Sequence, residues 1–117
     1  MTLSFSTAEL RPNAHLVRLD GALNAVTYQG FEKEIQSLLD SGATLIVLDL
    51  KSLVFLGSTG IRSLLQAFKT LRARGGNLRT LQVQKPIQDV FDLVQLFPAS
   101  QAFADKADLQ RFLDATK

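Results

Sequence analysis

Gly57-Ser58-Thr59-Gly60 is the stretch whose residue types and spacing come nearest to chemistry. A serine between an apolar strand-like run and an amphipathic helix invites comparison with the nucleophile elbow of hydrolases, Gly-x-Ser-x-Gly. Gly60 fills the last position of that pattern, but Leu56 stands in the first. The sole histidine, His15, lies in an early strand-like segment, and nothing in the sequence brings it to Ser58 as a base. The tetrapeptide also lacks the length and the lysine of a phosphate-cradling loop. With no cysteine, and with Asp20, Asp49, Asp89 and Asp92 scattered over different elements, neither a metal nor another cofactor is expected. The residues therefore do not read as an enzyme. Two adjacent hydroxyls at a helix start can instead accept hydrogen bonds from the orphan N–H groups of the first turn. Flanking glycines also let another molecule approach the backbone closely.

The elements that position these hydroxyls are legible from periodicity. Leu45 to Leu50 is a nearly continuous apolar run, as expected of a strand buried on both faces. After a short apolar link, Ile61, Leu64, Leu65, Phe68 and Leu71 recur at helical spacing and define one predicted buried face, with Arg62, Gln66, Lys69 and Thr70 off it. Upstream, Leu3 to Leu10 and His15 to Asp20 alternate around the turn Arg11-Pro12-Asn13-Ala14, which predicts a β-hairpin. From Thr27 the period is helical, with Tyr28, Phe31, Ile35, Leu38 and Leu39 on one face and Gly42 as the expected stop. Asn77 to Val83 is the next predicted strand, and Pro86 opens a helix carrying Ile87, Val90, Phe91 and Val94 inward. Asp105 is a candidate N-cap for a last helix burying Leu109, Phe112 and Leu113, and a short strand is expected at 102–103. The order β-β-α-β-α-β-α-(β)-α predicts an α/β fold with a mixed central sheet of four to five strands and about four helices.

Composition narrows the function classes. A chain of 117 residues is expected to form one domain, spanning 1–117. Hydrophobic residues at 46% and charged residues at 21% place it among ordinary folded proteins. Its first residues lack the basic-then-apolar pattern of a secretory signal, and no apolar run approaches the ~20 residues of a membrane helix, so a cytoplasmic protein is expected. The formal charge of +2 is slight. Lys69, Arg72, Arg74 and Arg79 cluster around one turn and are read as a solvated helix end, not a nucleic-acid footprint.

An ordered set of short motifs carries a resemblance. Ile-Val-Leu-Asp-Leu at 46 to 50, Gly-Ser-Thr-Gly-Ile at 57 to 61 and Arg-Gly-Gly-Asn-Leu at 74 to 78 stand in register with the predicted elements. Gly21-Ala22-Leu23-Asn24 and Leu96-Phe97-Pro98 extend the set over nearly the whole chain. Together they resemble the STAS domain of the bacterial anti-sigma factor antagonist family. The resemblance implies a bacterial protein that binds a kinase-type anti-sigma factor, a serine-protein kinase, and is released when a loop serine is phosphorylated. It implies a PP2C-like phosphatase as the reversing partner, and regulation of transcription by partner switching without contact to nucleic acid. The family's phosphorylated serine falls on Ser58, with Thr59 the second choice. Asn24, Gly57, Ser58, Thr59, Gly60 and Arg62 form the implied partner-binding set, on a monomer or weak dimer. Gly57 and Asn24 depart from the family pattern, since members commonly carry Asp at both positions. Two other classes remain open: an unphosphorylated STAS subunit of a larger stressosome-like or lipid-transport assembly, and a small-ligand or nucleotide-binding STAS domain.

Overall fold

The computed structural model describes residues 2–116. The chain begins with a hairpin of β1 (Leu3–Arg11) and β2 (Ala14–Leu23), whose turn places Asn13 in the left-handed region. Helix α1 (Tyr28–Asp40) follows and stops at Gly42, which has φ 94°, a conformation cheap only for glycine. Strand β3 (Leu45–Asp49) is buried at every residue, as its unbroken apolar run requires. Next come β4 (Leu53–Leu56), α2 (Ser58–Ala73), β5 (Asn77–Leu81), α3 (Lys85–Leu93) and α4 (Lys106–Ala115). The sheet is five-stranded and mixed. Its path runs β1-β2-β3-β5, with β1 antiparallel to β2 and the other pairs parallel.

Strand β4 replaces the link expected between β3 and α2. It lies parallel to the end of β2, so one edge of β2 pairs first with β3 (residues 14–18) and then with β4 (residues 21–23). Its four residues are too few for a period-two signal, and Val54 and Phe55 are both exposed.

The main core lies on the face covered by α1, α2 and α3, where Phe31, Ile35, Leu64, Ile87 and Phe91 pack on Val17, Leu19, Ile46, Leu48 and Leu78. Helix α4 covers the other face through Leu109 and Leu113, against Ala14, Leu45, Val47, Leu81 and Phe103. The expected short strand at 102–103 is a single parallel bridge from Phe103 to Leu81. Strand β5 stops at Leu81, short of the expected Val83, because Gln82 turns left-handed at φ 54°.

The buried face of α2 is rotated from the one the apolar spacing predicted. Gly60, Ser63, Leu64, Ala67 and Leu71 are buried, Ile61 and Phe68 only partly, and Leu65 is exposed. The helix packs on α1 as well as on the sheet, and small side chains serve that second contact. Val94 is likewise exposed, since α3 ends at Leu93. The basic cluster is only partly solvated. Arg74 donates to the Leu39 carbonyl, while Arg79 donates to the Gln101 carbonyl and lies over the Phe103 and Phe112 rings at 4.5 and 5.1 Å. Burial lowers the Arg79 pKa, with Asp108 opposing.

Candidate interaction site at the start of the central helix

Ser58 is the first residue of α2, and the N-cap position belongs to Gly57, whose backbone is extended at φ −93°, ψ 175°. No side chain closes this cap, so the reading of Ser58 and Thr59 as capping hydroxyls is corrected. A hydroxyl at the first helical position cannot reach the second and third N–H groups as a cap residue does. The Ser58 side chain instead stands exposed, with Thr59 half-buried beside it. The first turn of α2 holds no acidic residue, which leaves its N–H groups and the positive end of the helix dipole uncompensated by charge.

Two loops meet here because β2 and β4 end together. Leu23 pairs with Leu56, and the Gly57 N–H donates to the Leu23 carbonyl at 2.9 Å. A Cβ on Gly57 would lie 3.9 Å from Asn24 Cα. The loops holding Ser58 and Asn24 are therefore neighbours. Gly60 fixes the seat of the helix, since a Cβ there would fall 2.7 Å from Leu23 Cγ and 2.8 Å from the Leu23 carbonyl oxygen. Gly57 has a different constraint: the one tight contact of its Cβ would be the Phe55 ring, at 3.3 Å. That ring is exposed and can move by tenths of an ångström.

Asn24 is occupied internally. Its Oδ1 accepts from the N–H groups of Val26 at 2.9 Å and Thr27 at 3.1 Å, which makes a turn leading into α1. Thr27 completes the lock by donating its hydroxyl to the Ala22 carbonyl at 2.7 Å and accepting from the Asn24 N–H at 3.0 Å. Sequence reasoning missed Thr27 as a partner of Asn24, although Asn-x-x-Thr before a helix was the available signal. It also missed the apolar rim of the site: Val26 is 84% exposed, Val54 65% and Phe55 45%. Arg62 is exposed one turn into α2, on a line with Ser58 and the exposed Leu65.

The remaining predicted residues lie apart from these loops. His15 is half-buried on β2, opposite Glu9. Among the described residues no three His, Cys, Asp or Glu side chains gather as metal ligands would. A groove of about 260 Å³ between α1 and α2 is lined by Glu32, Gln36, Ser63, Gln66 and Thr70, with the Ser63 hydroxyl donating to Glu32 at 3.0 Å. No helix among the described residues is long and apolar enough to cross a membrane.

The fold and the site define a mixed α/β domain that presents a helix N-terminus and the adjoining strand-end loop side by side on its surface. Residues 6–109 match the family model of the STAS domain, and the chain belongs to that family. The chain is 29% identical over 87 residues, 72% of its length and 75% of the relative's, to BtrV of Bordetella bronchiseptica, a protein assigned as an anti-sigma factor antagonist. Among solved structures it is similar to the unphosphorylated form of the anti-sigma factor antagonist SpoIIAA, with TM-score 0.74, 20% identity, and coverage of 93% of this chain and 97% of that one. The phosphorylated form of SpoIIAA from Bacillus matches at TM-score 0.75 and 19% identity, covering 93% and 99%. An anti-sigma factor antagonist structure from Mycobacterium paratuberculosis matches at TM-score 0.72 and 18% identity, covering 93% and 92%. At these identities the structures share the fold.

Proposed function

We propose that this protein is a cytoplasmic, non-enzymatic anti-sigma factor antagonist. It binds a kinase-type anti-sigma factor through the paired loops and is released when that kinase phosphorylates Ser58. The observation that carries the reading is the exposed, uncapping Ser58 hydroxyl at the start of α2, beside an apolar rim of Phe55, Val54 and Val26. Apolar side chains exposed next to a polar, modifiable group are what a protein partner buries at an interface and a solvated turn has no use for. Similarity to a relative assigned as an anti-sigma factor antagonist supports the same reading. The contact set is Asn24, Gly57, Ser58, Thr59, Gly60 and Arg62, in which Asn24 acts by shaping its loop and Arg62 by reaching the partner. A PP2C-like phosphatase restores the binding form.

Phosphorylation adds roughly −1.5 to −2 charge at neutral pH, at a helix end whose dipole and free N–H groups favour an anion. The domain therefore tolerates the modification. Its effect is directed outward, because a hydrated dianion sits where the partner must come close to the backbone of Gly57 and Gly60. Gly57 and Asn24 in place of Asp remove two carboxylates that would repel the phosphate.

The test is capture of partners from the source cell with wild-type protein and with Ser58→Asp, followed by titration of what differs. An ATP-binding serine kinase retained only by the wild type is expected. Equal retention by both would move the protein to the unswitched STAS subunits, and retention of a small ligand alone would favour the ligand-binding class.

A further inference from the structure

We propose that the free edge of β1 is a self-complementary interface through which two copies of this chain pair antiparallel, extending the sheet across a two-fold axis. Strand β1 is the terminal strand of the β1-β2-β3-β5 path, and its hairpin partner uses only one of its edges. Hydrogen bonds at the hairpin's open end show which residues use that edge. The Ala22 N–H donates to the Thr2 carbonyl, whereas the N–H of Gly21, opposite Leu3, turns away to the Ser52 carbonyl. Antiparallel bonding alternates by residue, so Ser4, Ser6 and Ala8 bond inward like Thr2, and Leu3, Phe5, Thr7 and Glu9 offer their N–H and C=O groups outward.

Such an edge is normally blunted by charge, proline or a bulge. From Leu3 to Ala8 this strand has none of them; its charges begin at Glu9, and its register irregularity lies between Glu9 and Arg11. One register satisfies the edge. Centring the pair on Ser6 sets Leu3 against Glu9 and Phe5 against Thr7, so every outward group from 3 to 9 finds a partner and no like charges are opposed. Moving the centre to Thr7 would set Leu3 against Arg11, beyond the irregularity. Moving it to Phe5 pairs Leu3 with Thr7 and gives Glu9 no partner among the described residues.

A two-fold axis perpendicular to the sheet also puts both α1 helices on the same side. Gly30 and Glu34 mark the flank of α1 above β1: a Gly30 Cβ would lie 3.8 Å from the Phe5 ring, and Glu34 accepts from the Thr7 hydroxyl at 2.9 Å. Exposed Lys33 adjoins them, so the flank each copy would bring to the axis carries both signs of charge. The interface uses none of the residues of the Ser58 site and stands independently of that site's function.

The chain has no cysteine, which gives a register-specific test. In the proposed pair Ser6 faces its own copy as a non-hydrogen-bonded pair, with Cα atoms about 4.5 Å apart, within disulfide range. Ser6→Cys should crosslink to a dimer under mild oxidation at least tenfold faster than Ser4→Cys or Ala8→Cys, whose positions face each other and not themselves. Sedimentation of unmodified protein should show concentration-dependent dimers. Ser6→Lys, which opposes two cations on the axis at a solvent-facing position, should raise the dimer Kd at least tenfold with an unchanged melting profile at low concentration. A wild type that stays monomeric across the concentration series, dimers undiminished by Ser6→Lys, or equal crosslinking by all three cysteine variants would overturn the proposal.

Discussion

Single atoms decide much of this site. A methyl group at Gly60 meets the Leu23 carbonyl, which β2 cannot move, so Gly60→Ala should destabilise the fold by about 1–3 kcal/mol in denaturant titration. Gly57→Asp crowds only the exposed Phe55 ring and should cost under about 1 kcal/mol, leaving the position open to the family's usual residue. Asn24 behaves as a turn-forming acceptor, so Asn24→Asp should keep the loop, whereas Asn24→Ala should cost about 0.5–2 kcal/mol. If the alanine variant melts like wild type, the Asn24 side chain does not hold the paired loops. The sequence made the site's loop glycines and hydroxyls visible, but not that Gly57 takes the cap position. Cap geometry depends on the φ and ψ of one residue, and Gly-Ser-Thr-Gly is compatible with a cap at either Gly57 or Ser58.

Elements explain where the remaining misreadings arise. The apolar spacing of α2 identified the helix but not its rotation, because Gly60, Ser63 and Ala67 carry little hydrophobic signal and yet are buried, Gly60 against Leu23 and Leu56 and the other two beside α1. Phe68, read from spacing as fully buried, is partly exposed and makes an edge contact with Phe97 at 5.7 Å. Its truncation to alanine should fall short of the ~3–5 kcal/mol of a fully buried aromatic. Phe91, completely buried and 5.2 Å from the same ring, should reach that range. Equal losses for the two variants would mean that α2 sits as its periodicity first suggested. Helix α4 was readable to its cap: Asp105 accepts from the Asp108 N–H at 2.8 Å. Asp108 in turn accepts from Ala104 and Arg111, which hold its carboxyl below the ordinary value of 3.8. A depressed folded-state pKa contributes stability above that value and loses it as pH falls through the folded-state value. Asp108→Asn should therefore remove that contribution at neutral pH and flatten the acid limb below about pH 3.9, so that variant and wild type differ at neutral pH and converge in acid. An unchanged acid limb would remove this role from Asp108.

At the scale of the molecule, the alternation of strands and helices and the doubly buried β3 were enough to specify a mixed α/β sheet. Strand β4 was hidden because it pairs with the far end of β2, a long-range register that four residues cannot announce. That hidden strand brings the Asn24 and Ser58 loops together, so the site as a surface is a product of topology. Its apolar rim, Val26, Val54 and Phe55, had no periodicity to mark it, since the residues before Gly57 read only as a short apolar link. If the surface binds a partner, Asn24→Arg and Arg62→Glu should each weaken binding by tenfold or more with little change in melting temperature. Unchanged affinity in both would place the contact elsewhere. The most direct measurement is a calorimetric titration of the captured partner with unmodified protein and with protein stoichiometrically phosphorylated on Ser58, accompanied by thermal melts of both forms. If Ser58 is the switch, phosphorylation weakens binding at least tenfold while the melting temperature stays level or rises slightly. Undiminished affinity, or a phosphoprotein that melts much lower, would contradict it.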